Sequence, residues 1–473
     1  MLLQPNAGWL LFTMVFASGC ASVALNAGFD DVRATVEERG AVKIFWNNGT
    51  ELDKEAAEKL RSLLSGKLTA DRAVQIALLN NRELQALYSQ LGVAQADLVQ
   101  AGLLRNPIFE GAVLFPTSAG GKPDLEFSAA MNFLDIFYIP LRRRVAAARF
   151  EEVKTQVAGS VLDFAARARS AFYTHQANEQ MLELRRTIVE ALAASFEIAR
   201  RLHDAGNITD LDFARERAFL ESGKLALRSA EVSARQSWEE LNALMGLWGD
   251  EAAWQVDERL PDIPAQPIRT EDIERVALAR SIEVRNARQR VVVAGEQLGF
   301  NKWTALVPEM HAGPLGEREE GSWEAGPTFE VPIPLFDQGQ ARIGAAMAEL
   351  RRAQQEHYAL AVRVRAAARA ARDRLEGSRD RALYYRDIML PLQERIVNEA
   401  QLQYNAMQLS PFQLLRAKEQ QIESAVAYIE ALRDYWLARG DIGQLLSGRL
   451  PGSSAVTTSR PAAPMRANRA DGH

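Results

Sequence analysis

The sequence predicts a mainly α-helical chain with a small β part: two tandem structural repeats, each with a long coiled-coil helical hairpin and two of four strands. Three observations predict this. The same order of elements occurs twice. Each half holds a helical stretch of about sixty residues with very little glycine or proline. Each half also carries a pair of short segments that alternate strictly between apolar and polar residues.

Composition narrows the function before any element is placed. The chain has 473 residues, 47% hydrophobic and 25% charged, which is a folding composition. A net charge of −5 with both signs interspersed gives no reason to expect a nucleic-acid partner. The single cysteine, Cys20, excludes an intrachain disulfide, and no two of the five histidines stand four apart on a helix, so no metal site is expected. A phosphate-binding glycine loop and a nucleophile elbow are both missing from the sequence. Neither an enzyme nor a cofactor is expected.

The elements follow in order. Residues 9–17 form an apolar run too short to span a bilayer but of the size of a signal-peptide core. Ser18-Gly19-Cys20 after it reads as a site where Cys20 is acylated, palmitate included, and becomes the lipid anchor; the other reading is an unmodified cysteine after an ordinary signal. The expected division is 1–19 signal peptide, 20–67 leader, 68–260 first repeat, 261–269 linker, 270–450 second repeat and 451–473 disordered tail. From residue 68 a single helix carries Ala73, Ile76, Ala77, Leu84, Leu87 and Leu91 on one face and stops at Pro107. From residue 270 the plan recurs and stops at Pro308.

Two strand pairs come next. In 125–133 one face is Leu125, Phe127, Ala129, Met131 and Phe133, and the other holds Glu126, Ser128 and Asn132. In the second half Trp323, Ala325, Phe329, Val331 and Ile333 alternate with Glu324, Thr328 and Glu330. Partner strands are expected at 108–115 and 309–313, with loops at 116–123 and 313–321. Taken alone, such strands fit a soluble half-buried hairpin better than a membrane barrel.

After each pair a long helix is expected, 142–203 and 342–404, the second kinked by Pro391. Each ends in a tight reversal, 201–212 and 404–412. Gly206-Asn207 makes the first turn, Thr209 and Ser410 cap the returning helices, and Pro411 opens the second of them.

This doubled order, the proline before each strand pair and the two reversal turns resemble the TolC family of outer-membrane efflux proteins over residues 68–446. Ile44-Phe45-Trp46-Asn47 resembles the leader of its heavy-metal and multidrug members. The resemblance implies a homotrimeric duct of a Gram-negative outer membrane, lipid-anchored and extending into the periplasm. It implies a periplasmic adaptor and an inner-membrane pump as partners, exporting small molecules or metal ions. A physical argument agrees with the trimer. Four strands cannot close a membrane barrel, which needs about eight, whereas three copies can close one. On this reading Phe127, Met131, Phe133, Trp323, Phe329 and Val331 face outer-membrane lipid. The reversal turns, with Arg201, Leu202, Gly206, Ile208, Met407, Leu409 and Pro411, would meet the adaptor. Asp210, Asp212, Gln413 and Arg416 would lie at the pore constriction, although each aspartate reads first as a helix-start residue. The alternatives are a type I secretion duct for proteins or peptides and a non-transport coiled-coil scaffold.

Overall fold

The computed structural model of the chain describes residues 23–24, 26–47, 51–115, 123–257, 259–306, 310–319 and 322–452. Cys20, the export segment, Pro308 and nearly all of the tail lie outside the described residues. The leader forms α1 (Phe29–Gly40) and α2 (Glu51–Leu64). Then come α3 (Ala70–Asn80), α4 (Arg82–Ala101), β1 (Ile108–Leu114), β2 (Asp124–Asn132), α5 (Asp135–Asp204) and α6 (Asp210–Met245). The order recurs as α7 (Ile273–Arg280), α8 (Ile282–Leu306), β3 (His311–Glu319), β4 (Ser322–Glu330) and α9 (Gln340–Tyr384). A π-helical turn, Tyr385–Met389, joins α9 to α10 (Leu390–Asn405), and α11 (Pro411–Leu446) returns.

Packing divides the chain into two compact units, each drawn from both halves. The first is Met1–Asp53, Arg82–Ala158 and Ile282–Val364; the second is Lys54–Asn81, Gly159–Ser281 and Arg365–His473. The division is thus across the expected repeats rather than along the chain. A helix with one apolar stripe must bury it against another element, as Leu182 of α5 does with Ala230 and Ala234 of α6.

In the first unit the leader is bound to α4. Phe29 and Trp46 pack on the fully buried Tyr88, with ring centroids 5.1 and 6.1 Å away. Gln85 acts as a surrogate strand: its Nε2 donates to Phe45 O at 3.0 Å, and its Oε1 accepts from Asn47 N–H at 2.8 Å. Lys154 on α5 ties α1 through Asp31 at 2.7 Å.

The same unit holds one antiparallel sheet in the order β1-β2-β3-β4. The expected loop 313–321 is strand as far as Glu319, which corrects the sequence reading. Glycine and proline misled it because they do other work here. A Cβ on Gly313 would stand 1.7 Å from Ala129 O, so only glycine permits this approach of the two backbones. Pro314 lies directly opposite Pro327, at a point where neither residue has an N–H to donate to the ladder.

In the second unit, the helix expected to run unbroken from residue 68 ends at Asn80. Asn81 takes extended backbone, φ −68° and ψ 126°. Asn80 Nδ2 donates to Gly246 O at 2.8 Å and Asn81 Nδ2 to Leu244 O at 3.1 Å. The break thus satisfies the carbonyls that the end of α6 leaves unpaired. Ser281 makes the corresponding break after α7, and Arg280 Nη1 donates to Leu446 O at the end of α11 at 3.2 Å. Deeper in this unit His175 is buried, 3.1 Å from Ser237 Oγ and edge-on to Trp254. Asp163 on α5 pairs with Arg449 beyond α11 and also accepts from Gln444 Nε2 at 2.9 Å.

Candidate functional site

The register of the sheet sorts its residues onto two unlike faces. Opposed residues of antiparallel strands point to the same side. One side carries Val113, Leu125, Arg318 and Trp323 in one row across the four strands, and along the strands Phe109, Phe127, Met131 and Phe329. Phe127 stacks between Phe109 and Trp323, at 6.0 and 6.4 Å. These side chains are open to the surroundings: Phe109 and Phe329 are both 70% exposed. Arg318, beside Trp323 at the far end of the strands, is the one charged residue of that side among the described residues. Phe133 lies just beyond β2, its N–H bonded to Met310 O at 2.9 Å, and Val331 follows β4; both are exposed.

The other side is acidic. Glu126, Glu317 and Glu324 stand in a single row across β2, β3 and β4, next to Ala112 of β1. Glu110, Asp124 and Glu330 lie on the same side. None of the three carboxylates in the row has an ion-pair partner among the described residues. Like charges opposed across strands repel, so the row lowers its energy when cations gather near it. No group of three or more His, Cys, Asp or Glu among the described residues converges to hold a metal ion. The outer edges of β1 and β4 have no strand partner among the described residues. No described helix is long and apolar enough to cross a membrane.

The reversal turns lie in the second unit. In the first turn Gly206 has φ +72°, and Asn207 N–H reaches back to Leu202 O at 2.8 Å. In the second turn Met407 has φ +59° and is 95% exposed, and Gln408 N–H bonds Gln403 O at 2.9 Å. Asp210 is fully exposed and stands 2.7 Å from His203 Nε2. The His203 ring stacks on Phe213, and Phe213 on Phe196, at 4.6 and 5.3 Å. Asp212 N–H donates to the Thr209 hydroxyl at 3.2 Å, and its carboxylate lies 4.0 Å from Arg215. Gln413 Oε1 accepts from Ser410 N–H at 3.2 Å, a capping contact. Arg201 and Arg416 are exposed and Leu409 is half-buried. Pro411 begins α11, its side chain lying outside the described residues.

Leu202, Ile208 and Asp212 line a cavity of about 140 Å³ with Leu414, Glu216 and Lys418. Burial holds the Glu216 carboxyl above its usual range, against the opposing pull of the Ser195 hydroxyl and Lys418. Sequence reasoning missed Glu317, because its segment reads as a loop. It also missed the His203–Asp210 pair, whose signal was only a seven-residue spacing across a turn.

No family model matches the sequence. The chain is 23% identical over 402 residues to the cobalt-zinc-cadmium resistance protein CzcC of Cupriavidus metallidurans, covering 81% of this chain and 90% of that protein. Among solved structures it is similar to the CmeC outer membrane channel of Campylobacter jejuni, with a TM-score of 0.65, 15% identity, and 88% and 93% of the two chains covered. It is also similar to the outer-membrane channel OprN, with a TM-score of 0.66, 16% identity, and 88% and 95% covered. The fold is that of these channels, and the resemblance to the TolC outer-membrane efflux family is borne out. Its relatives are channel and efflux proteins, not enzymes.

Proposed function

We propose that this chain of TolC type is the outer-membrane duct of a tripartite efflux system, working as a homotrimer with a periplasmic adaptor and an inner-membrane pump. The observation that carries the reading is the sheet: one exposed apolar face, one acidic face, and two edges without a strand partner among the described residues. Edges cannot be left open in lipid, so the four strands close only with further copies of themselves. The apolar face then meets lipid and the acidic face lines the lumen. A lumen lined with carboxylates concentrates cations. This accords with the metal resistance named for CzcC and supports divalent metal ions as cargo. Cys20 carries the lipid anchor in the outer membrane of a Gram-negative cell. The two reversal turns dock the adaptor, and the aspartates beside the first turn help set the narrow end of the path.

Reconstitution in planar bilayers tests the reading. The trimer should conduct, with a reversal potential favouring cations, and Glu126→Gln, Glu317→Gln and Glu324→Gln together should remove most of that preference. A product that stays monomeric in detergent and carries no current would reject the duct.

A further inference from the structure

The start of α5, directly after β2, is apolar and then cationic along one exposed face. Ile136, Phe137, Pro140, Arg143 and Arg144 are all exposed, and their spacing places them within about a third of the helix circumference. Phe137 is 63% exposed, and Leu103 and Leu104, in the segment leading to β1, are exposed as well. At 1.5 Å per residue, Arg144 lies about 10 Å beyond Phe137 along the axis. The headgroup layer of a bilayer is roughly 5–7 Å deep on each side, and an arginine side chain can snorkel several ångströms.

The arginines have charge to spare. Asp135, at the start of the helix, is buried and already shared by Arg142 at 3.3 Å and Arg105 at 3.4 Å. Arg142 is held further by donating to Leu103 O at 3.4 Å. Arg143 and Arg144 make no ion pair among the described residues. The corresponding junction after β4 differs. It exposes Leu335 and Phe336 but is followed by a single arginine, Arg342.

The geometry points to a binding surface for anionic phospholipid on α5, with acyl chains against Ile136 and Phe137 and the phosphate held by Arg143 and Arg144. It rests on the membrane reading above. Charge complementarity selects the occupant: the apolar part alone would accept any lipid, but two unpaired guanidinium groups at headgroup depth favour a net negative one.

The test uses the full-length protein in vesicles of phosphatidylcholine with a minor share of phosphatidylglycerol, each lipid spin-labelled in turn. The motionally restricted signal should favour phosphatidylglycerol by about fivefold. Arg143→Gln with Arg144→Gln should bring the two lipids close to parity, whereas Arg143→Lys with Arg144→Lys should keep most of the preference. Parity in the wild type, or an undiminished preference in the double glutamine variant, overturns the surface while leaving the duct intact. A protein that restricts neither lipid is not in the bilayer, and that result rejects both readings.

Discussion

The two helical hairpins share a backbone plan but differ at its weak points. Their buried positions match in steps: Phe164 with Val364, Ala168 with Ala368, Ala171 with Ala371 and Leu182 with Ala382. Nearer the turns the match moves on by one, Leu192 with Gln393 and Gly206 with Met407. The extra residue of the second hairpin is taken up in the π-helical turn Tyr385–Met389, which has no counterpart in the 70-residue α5. Leu390 N–H bonds Tyr385 O, five residues back. This wider turn makes room for the ring of Pro391, which would otherwise meet a carbonyl one turn earlier. At the reversals both hairpins keep one hydrogen-bond pattern, with glycine at the left-handed position in the first and methionine in the second. What recurs between the hairpins is the pattern of bonds. The side chain at each point is free to differ, at a cost in strain.

The largest expected effect lies where the first hairpin buries a histidine and the second a leucine, His175 against Leu375. Burial pushes the His175 pKa down to about 4 from the usual 6.5. A base whose pKa is lowered by folding contributes stability that is present above the unfolded value and lost as pH falls toward the folded one. The wild type should therefore lose up to about 3 kcal/mol between pH 6.5 and 4 through this group. His175→Leu should flatten that loss, read as urea midpoints by the fluorescence of neighbouring Trp254 at neutral and acid pH. Equal acid sensitivity in the two proteins would remove His175 from the account.

Exchanging the turn residues should move stability in opposite directions. Gly206→Val places a branched side chain at φ +72° and should cost about 1–2 kcal/mol. Met407→Gly relieves the same strain at φ +59° and should gain somewhat less, since glycine also frees the unfolded chain. Amide hydrogen exchange at the ends of α5 and α10 would show faster opening in the first variant and slower opening in the second. The smallest effect is expected at Glu216, which corresponds to the buried Ala417. Its raised pKa means that burying the ionised form costs stability above that pKa, and the cost fades as pH falls through it. Glu216→Gln should therefore stabilise the fold by under about 1 kcal/mol at neutral pH after solvent screening, seen as a slightly higher thermal midpoint, and not at all in acid. A lower midpoint at neutral pH would show that the Lys418 contact outweighs the burial.

Periodicity, caps and stop signals were enough to expose the long helices and both reversal turns, because these are local properties of neighbouring residues. The faces of β2 and β4 were legible for the same reason: alternation tells which residues share a side. What could not be read is what depends on a partner far away in sequence. The strand β3 was hidden because Gly313 and Pro314 look like a turn until Ala129 and Pro327 are placed against them. The breaks at Asn81 and Ser281 were hidden because the carbonyls they serve belong to helices about 165 residues away. The row of Glu126, Glu317 and Glu324 exists only through register, which pairs strands from opposite halves. Local chemistry determined the elements. Tertiary structure decided which of their polar groups meet, since a hydrogen bond or a charge is completed only by the group that stands opposite it.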